Sequence, residues 1–141
     1  MLKRRRRQPG EAYDSREYQQ AATYHAYAKD LCESYTFDRS KYRLCVVEKR
    51  YASITRSGFA KLKEDLQFLD NALKTVLAVY RDYFQERFVV GLSIRKYAEA
   101  HQLNWGSVDY LQKKFFSALA RLLKERDEAE GRYRLRKPAQ N

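Results

Sequence analysis

Turn-forming residues are scarce, with two prolines and five glycines in 141 residues. That argues against a loop-rich or all-β chain. Cysteine is equally scarce. Cys32 and Cys45 imply no disulfide framework, and a reducing, cytoplasmic setting fits best. No apolar run approaches the roughly 20 residues that span a bilayer, so no membrane partner is expected. The basic start is not followed by an apolar stretch and does not read as a secretory signal. Also missing are a Ser-His-Asp set, a glycine-rich phosphate loop and paired catalytic carboxylates. Glu64 and Asp65 are neighbours whose side chains diverge on a helix, which suits a solvated face. His25, Cys32, Cys45 and His101 could donate to zinc, but their spacing matches no short ligand pair. The expectation is a protein that is not an enzyme, with no catalytic residues, no metal and no cofactor.

What is present is a core and a charge. Hydrophobic residues make up 44% of the chain, ample for one domain with flexible ends. The net charge of +11 is uneven. Residues 3–7 carry five cations, and Arg132, Arg134, Arg136 and Lys137 carry four more with no acid after Glu130. Setting those nine aside leaves 20 basic against 18 acidic residues over 8–130, a net of +2. Two basic arms on a near-neutral body suit a polyanion.

Along the chain, 1–12 reads as a disordered basic arm ending in Gln8-Pro9-Gly10. Asp14-Ser15-Arg16-Glu17 has capping-box spacing and opens a tyrosine-rich helix over about 15–33. Phe37-Asp38-Arg39-Ser40 looks like a connection, with Ser40 as an N-cap. Leu44, Val47, Tyr51 and Ile54 recur at helical spacing, with a strand over 44–47 as the competing reading. Ser57-Gly58 marks a break. Phe59, Leu62, Leu66, Leu69, Leu73, Val76 and Tyr80 then draw one apolar stripe along a helix of about six turns. Core packing suits that stripe better than a homodimer seam, which remains the alternative. The tyrosine-rich segment 13–51, with Tyr18, Tyr24 and Tyr27 in its first helix, suits core-edge packing better than a stacking platform for single strands. Residues 13–74 are thus a helical region offering a partner or dimer surface, 75–130 carry the functional motif, and 131–141 form a basic tail.

That motif lies in residues 91–108. Gly91 suits the end of a helix that finishes near Val90. Ser93 is a candidate N-cap, and Ile94, Tyr97 and Ala98 face inward, with Ala98 small enough for a close helix crossing. Leu103 plugs the turn, Asn104 caps a second helix through the N–H of Gly106 or Ser107, and Val108 and Leu111 pin that helix to the core. Phe115, Leu119 and Leu122 continue its inner face to a fade near 128–131. Trp105, Gly106, Ser107, Asp109, Tyr110 and Lys113 are left outside, where a DNA groove would meet them.

The register of Gly91-Leu92-Ser93, Ala98, Leu103, Asn104 and Ser107-Val108 resembles the helix-turn-helix of region 4 of sigma-70-type factors over about residues 75–124. His101 and Gln102 stand where that family has an aliphatic residue and a turn glycine, and Phe115 stands where it has a small one. In size and layout the chain is similar to the small sigma-region-4-like activators of Gram-positive phages and mobile elements, such as the RinA and ArpU groups. The resemblance implies an all-α protein with a long central helix and a C-terminal helix-turn-helix. Such a protein would be a sequence-specific transcription regulator, an activator that binds double-stranded DNA and contacts RNA polymerase. It would place Trp105, Gly106, Asp109 and Tyr110 near base edges, Ser107, Lys113 and Lys114 near phosphates, and Arg95 and Lys96 on the bracing helix. The alternative is an adaptor for polymerase or nucleoprotein that keeps the fold without reading bases. Asp109 and Gly106 on the outer face favour it.

Overall fold

The computed structural model of the chain describes residues 15–46 and 56–131. Both basic arms, the Asp14 cap and the periodic positions Val47, Tyr51 and Ile54 lie outside the described residues. The fold is all-α, with no strand among those residues. Five helices follow in order: α1 Ser15–Val46, α2 Arg56–Leu73, α3 Ala78–Phe84, α4 Ile94–His101 and α5 Trp105–Ala129. A π-helical turn, Gln85–Val90, continues α3.

α1 runs 32 residues without a break, which corrects the connection expected at Phe37-Asp38-Arg39-Ser40, the Ser40 cap and the strand reading of 44–47. Neither glycine nor proline occurs between Gly10 and Gly58. The polar residues that resembled a loop are instead bonded within and beyond the helix. The single Ser34 hydroxyl proton is shared between the Asp30 carbonyl, 2.9 Å from Oγ, and the Asp38 carboxylate, 2.7 Å away. Thr36 Oγ1 donates to the Phe88 carbonyl at 2.9 Å, and Arg39 pairs with Asp70 on α2 at 3.4 Å. The second correction concerns the six-turn stripe. α2 ends at Leu73, Val76 sits in a turn, and Tyr80 belongs to α3. The Ala72 carbonyl accepts from the N–H groups of both Thr75 and Val76 and from Thr75 Oγ1. Arg81 donates to the carbonyls of Leu73 and Val76. Together these groups satisfy a helix end that the apolar periodicity does not reveal. Ser57 and Gly58 fall in the first turn of α2 rather than between elements.

α1 packs most extensively against α5. Its buried face is Tyr24, Ala28, Leu31 and Cys32, and that of α5 includes Val108, Phe115, Phe116, Leu119 and Leu123. Leu62, Leu66 and Leu69 of the α2 stripe are buried, so the stripe packs inside the monomer. One core therefore spans both sides of the division drawn at residue 74. Phe115 sits at its centre, its ring 5.7 Å from Tyr80, 6.1 Å from Tyr83 and 5.7 Å from Phe116.

Tyr24, Tyr27 and Tyr35 act as packing residues with anchored hydroxyls, while the side chain of Tyr18 lies outside the described ones. Tyr24 donates to Asp127 of α5 at 2.8 Å, Tyr27 to Asp65 at 2.6 Å and Tyr35 to Asp70 at 3.2 Å. Burial first, and then those carboxylates, pushes all three phenols above their ordinary pKa. Asp65 also pairs with Lys61 at 3.0 Å, so it is engaged rather than part of a solvated face. Among the zinc candidates, Cys32 and Cys45 are buried and His25 packs edge-on to Phe116. No group of three metal-ligating side chains occurs among the described residues. None of these helices is long and apolar enough to cross a membrane.

Candidate functional site

The site is built from α4, a three-residue turn and the start of α5. Its approach is set at Gly91, whose φ of 97° is left-handed. There the Glu86 carbonyl accepts from the N–H of Gly91 at 3.1 Å and of Leu92 at 2.9 Å, closing the π-helical turn. A side chain at Gly91 would be strained in that conformation, which explains glycine at this point. Ser93 then caps α4, its Oγ accepting from the Lys96 N–H at 3.0 Å. Asn104 caps α5 in the same way, its Oδ1 accepting from the Ser107 N–H at 2.8 Å. Each cap satisfies an otherwise unpaired first-turn donor and contributes about 1 kcal/mol.

Tyr97 and Ala98 are buried and Ile94 is packed against the core, as the spacing predicts. On α5, Val108 is fully buried and Leu111 partly so. Leu103 is 40% exposed and does not plug the turn. The core on either side of the turn is already filled by Tyr97 and Val108, leaving Leu103 at the surface. His101, in place of an aliphatic residue, stacks on Tyr97 with ring centroids 4.2 Å apart, and its Nε2 lies 2.7 Å from Glu86 Oε1.

Gln102 has φ 55° and ψ 45°, the one left-handed non-glycine residue among those described. The turn therefore demands a glycine-like backbone that Gln102 adopts under strain. Gln102→Gly is expected to stabilise the fold by about 1 kcal/mol. A urea melt checks this; a lower midpoint would show that the glutamine side chain contributes more than the strain costs.

Arg87, absent from the sequence reading, holds the site against the core. Its guanidinium donates to Tyr83 Oη at 3.0 Å, to the Leu92 carbonyl at 3.0 Å and to Gln112 Oε1 at 3.2 Å. Tyr83 itself donates to Gln112 Oε1 at 2.7 Å. One cation thus ties the chain before α4 to the inner side of α5. The only hint in the sequence is an arginine among Tyr83, Phe84 and Phe88. Its cationic carbon lies 4.8 Å from the Phe88 ring centroid.

The outward residues fall into pairs. Asp109 and Lys113 form an ion pair at 3.1 Å, with Asp109 mostly covered and Lys113 largely exposed. The Lys114 ammonium lies 5.4 Å from the Tyr110 ring centroid. Trp105 and Tyr110 are each 64% exposed, and Ser107 is exposed beside them. On α4, Lys96 is exposed and Arg95 pairs with Glu99 of its own helix at 3.4 Å. The expected contact residues therefore all sit on α4 or the first three turns of α5. Asp109 is spent on Lys113, a pairing at the i, i+4 spacing of neighbours on a helix face.

No protein-family model, curated protein or solved structure matches the chain.

Proposed function

We propose that this protein is a DNA-binding transcription regulator, an activator that presents the start of α5 to the major groove and touches RNA polymerase through its other helices. The observation that carries the reading is the doubly capped α4–turn–α5 unit. Ser93 and Asn104 order its inner face, while Trp105, Ser107, Tyr110, Lys113 and Lys114 stay accessible. Arg95 and Lys96 flank them, and the arms add nine cations for the phosphate backbone. Incubating the full chain with random-sequence duplexes at several salt concentrations tests the reading. Enrichment of a motif supports it; binding that only tracks salt overturns it. In a reporter carrying that motif, changing Lys113 and Lys114 together to Ala should abolish activation while the protein stays folded.

The Asp109–Lys113 pair makes a separate prediction. Asp109→Asn removes a charge repelled by phosphate and frees Lys113. Duplex affinity should rise several-fold, and the slope of log affinity against log salt should steepen by about 1. An unchanged slope would show that Lys113 does not meet phosphate.

The second reading, an adaptor for polymerase or nucleoprotein, draws on a different feature. A cleft of about 1120 Å³ lies between α1, α2 and α3, with Leu66, Phe84 and Val89 on its walls and Arg43 and Lys63 at its edge. Such an apolar-walled cleft could take an apolar helical segment of a protein partner. A pull-down of polymerase that survives nuclease, combined with no motif enrichment, would favour this reading.

A further inference from the structure

We propose that the cleft between α1, α2 and α3 docks an amphipathic helix of another protein, one whose apolar stripe is flanked on both sides by carboxylates. This inference rests on the cleft-based reading above and names the chemistry of the occupant. It does not depend on DNA binding.

The walls set the shape. α1 lines the cleft from Tyr35 to Val46 and α2 from Lys63 to Leu73, about three turns each or roughly 15 Å. At about 1120 Å³ the cleft exceeds the roughly 300–1,000 Å³ of small-molecule sites. Its apolar lining is Val46, Leu66, Leu73, Phe84 and Val89. Val46 and Val89 stay 41% and 40% exposed, so apolar surface is left for an occupant to cover. A helix fills such a groove with anchors spaced three and four residues apart.

Charge selects among helices. Four cations and two acids line the cleft, a net of +2. Arg39 is compensated by Asp70 at 3.4 Å. Arg81 donates to the carbonyls that end α2, with Asp82 next to it in the chain. Arg43 on the α1 wall and Lys63 on the α2 wall are exposed and have no ion-pair partner among the described residues. A wholly apolar occupant would strip water from both cations and return nothing. Carboxylates on the two sides of its stripe would pair with them. The chain's own segments outside the described residues do not fit. Residues 1–14, 47–55 and 132–141 are each net positive, and like charge opposes their docking.

The test titrates labelled helical peptides of about 18 residues into the full chain at physiological salt. Three peptides share one leucine stripe and are edged with Glu, Gln or Lys. A fourth scrambles the Glu-edged peptide, keeping its charge but not its stripe, and so measures attraction to the basic arms alone. The Glu-edged stripe should bind about tenfold or more tighter than the Gln-edged and scrambled peptides, with the Lys-edged peptide weakest. Arg43→Glu combined with Lys63→Glu changes two exposed side chains. It should leave the circular dichroism spectrum unchanged and reverse the order of the Glu- and Lys-edged peptides. Val89→Asn should weaken every stripe peptide. Equal binding of the Glu-edged and Gln-edged peptides, or of the Glu-edged and scrambled ones, overturns the inference. So does an order that the double reversal leaves in place, or a failure of every stripe peptide to bind. In each of those cases a polymerase pull-down that survives nuclease would still uphold the cleft-based reading. Dimerisation of the chain that the double reversal abolishes would make a second copy the occupant and overturn the assignment to another protein.

Discussion

Changing the nine arm cations (residues 3–7, Arg132, Arg134, Arg136 and Lys137) to glutamine is expected to weaken duplex binding about a thousandfold or more near physiological salt. The rest of the chain is nearly neutral, at +2 over 8–130. On the candidate surface, Lys113 and Arg95 are already compensated by acids of their own helices. On the proposed DNA-binding function, counterion release would therefore depend mainly on the arms. Each lost phosphate contact flattens the slope of log affinity against log salt by about 0.9, so a change of several units should be measurable. Base preference should behave differently. Phosphate contacts carry no sequence information, so the enriched motif should be the same with the affinity much reduced. A loss below about tenfold would show that the α4–α5 surface holds DNA largely unaided.

The second large effect is structural. Asp127→Ala is expected to cost about 3–5 kcal/mol of folding stability. Asp127 is completely buried in the last turns of α5. It accepts the Tyr24 hydroxyl at 2.8 Å and Arg126 Nε at 3.0 Å, and Arg126 Nη2 approaches it at 2.9 Å. The Arg126 side chain is 13% exposed and also lies over the Phe68 ring, 5.3 Å from its centroid. Alanine would leave that guanidinium without its counter-charge and the Tyr24 hydroxyl without an acceptor, both away from water. Tyr24→Phe removes one neutral donor and should cost only about 1 kcal/mol. The double change Arg126→Met with Asp127→Leu removes both charges and should cost much less than Asp127→Ala. Chemical denaturation of the three variants decides the matter. A double variant as unstable as the single one would assign the cost to lost packing.

How much of this was legible depended on how local each determinant is. Gly91, Ser93 and Asn104 were readable because a cap or a left-handed glycine involves groups three or four residues apart. The inner face of α5 was readable from the 3.6-residue period over Val108, Phe115 and Leu119. Two helix boundaries were not. The polar run at 37–40 has the composition of a loop, but Arg39 finds a partner on α2, and Thr36 just before the run donates to the π-helical turn. The apolar stripe continues through Val76 and Tyr80, but the chain turns at 74–77 because Ala72, Leu73 and Val76 carbonyls find donors there. In both cases a side chain distant in space or direction outweighs a weak local preference.

The same division holds for the candidate site. The sequence by itself determined that the chain is helical, where α4 and α5 begin, and which residues near 105–114 can stand outward. Short-range hydrogen bonds and the helical period suffice for these. Only the tertiary structure decided which outward groups are free. It committed Gln112 to Arg87 and Tyr83 and put Leu103 at the surface. It also showed Asp109 and Lys113 satisfying each other. Those outcomes depend on rotamers and on contacts between segments far apart in the chain, to which residue spacing is blind.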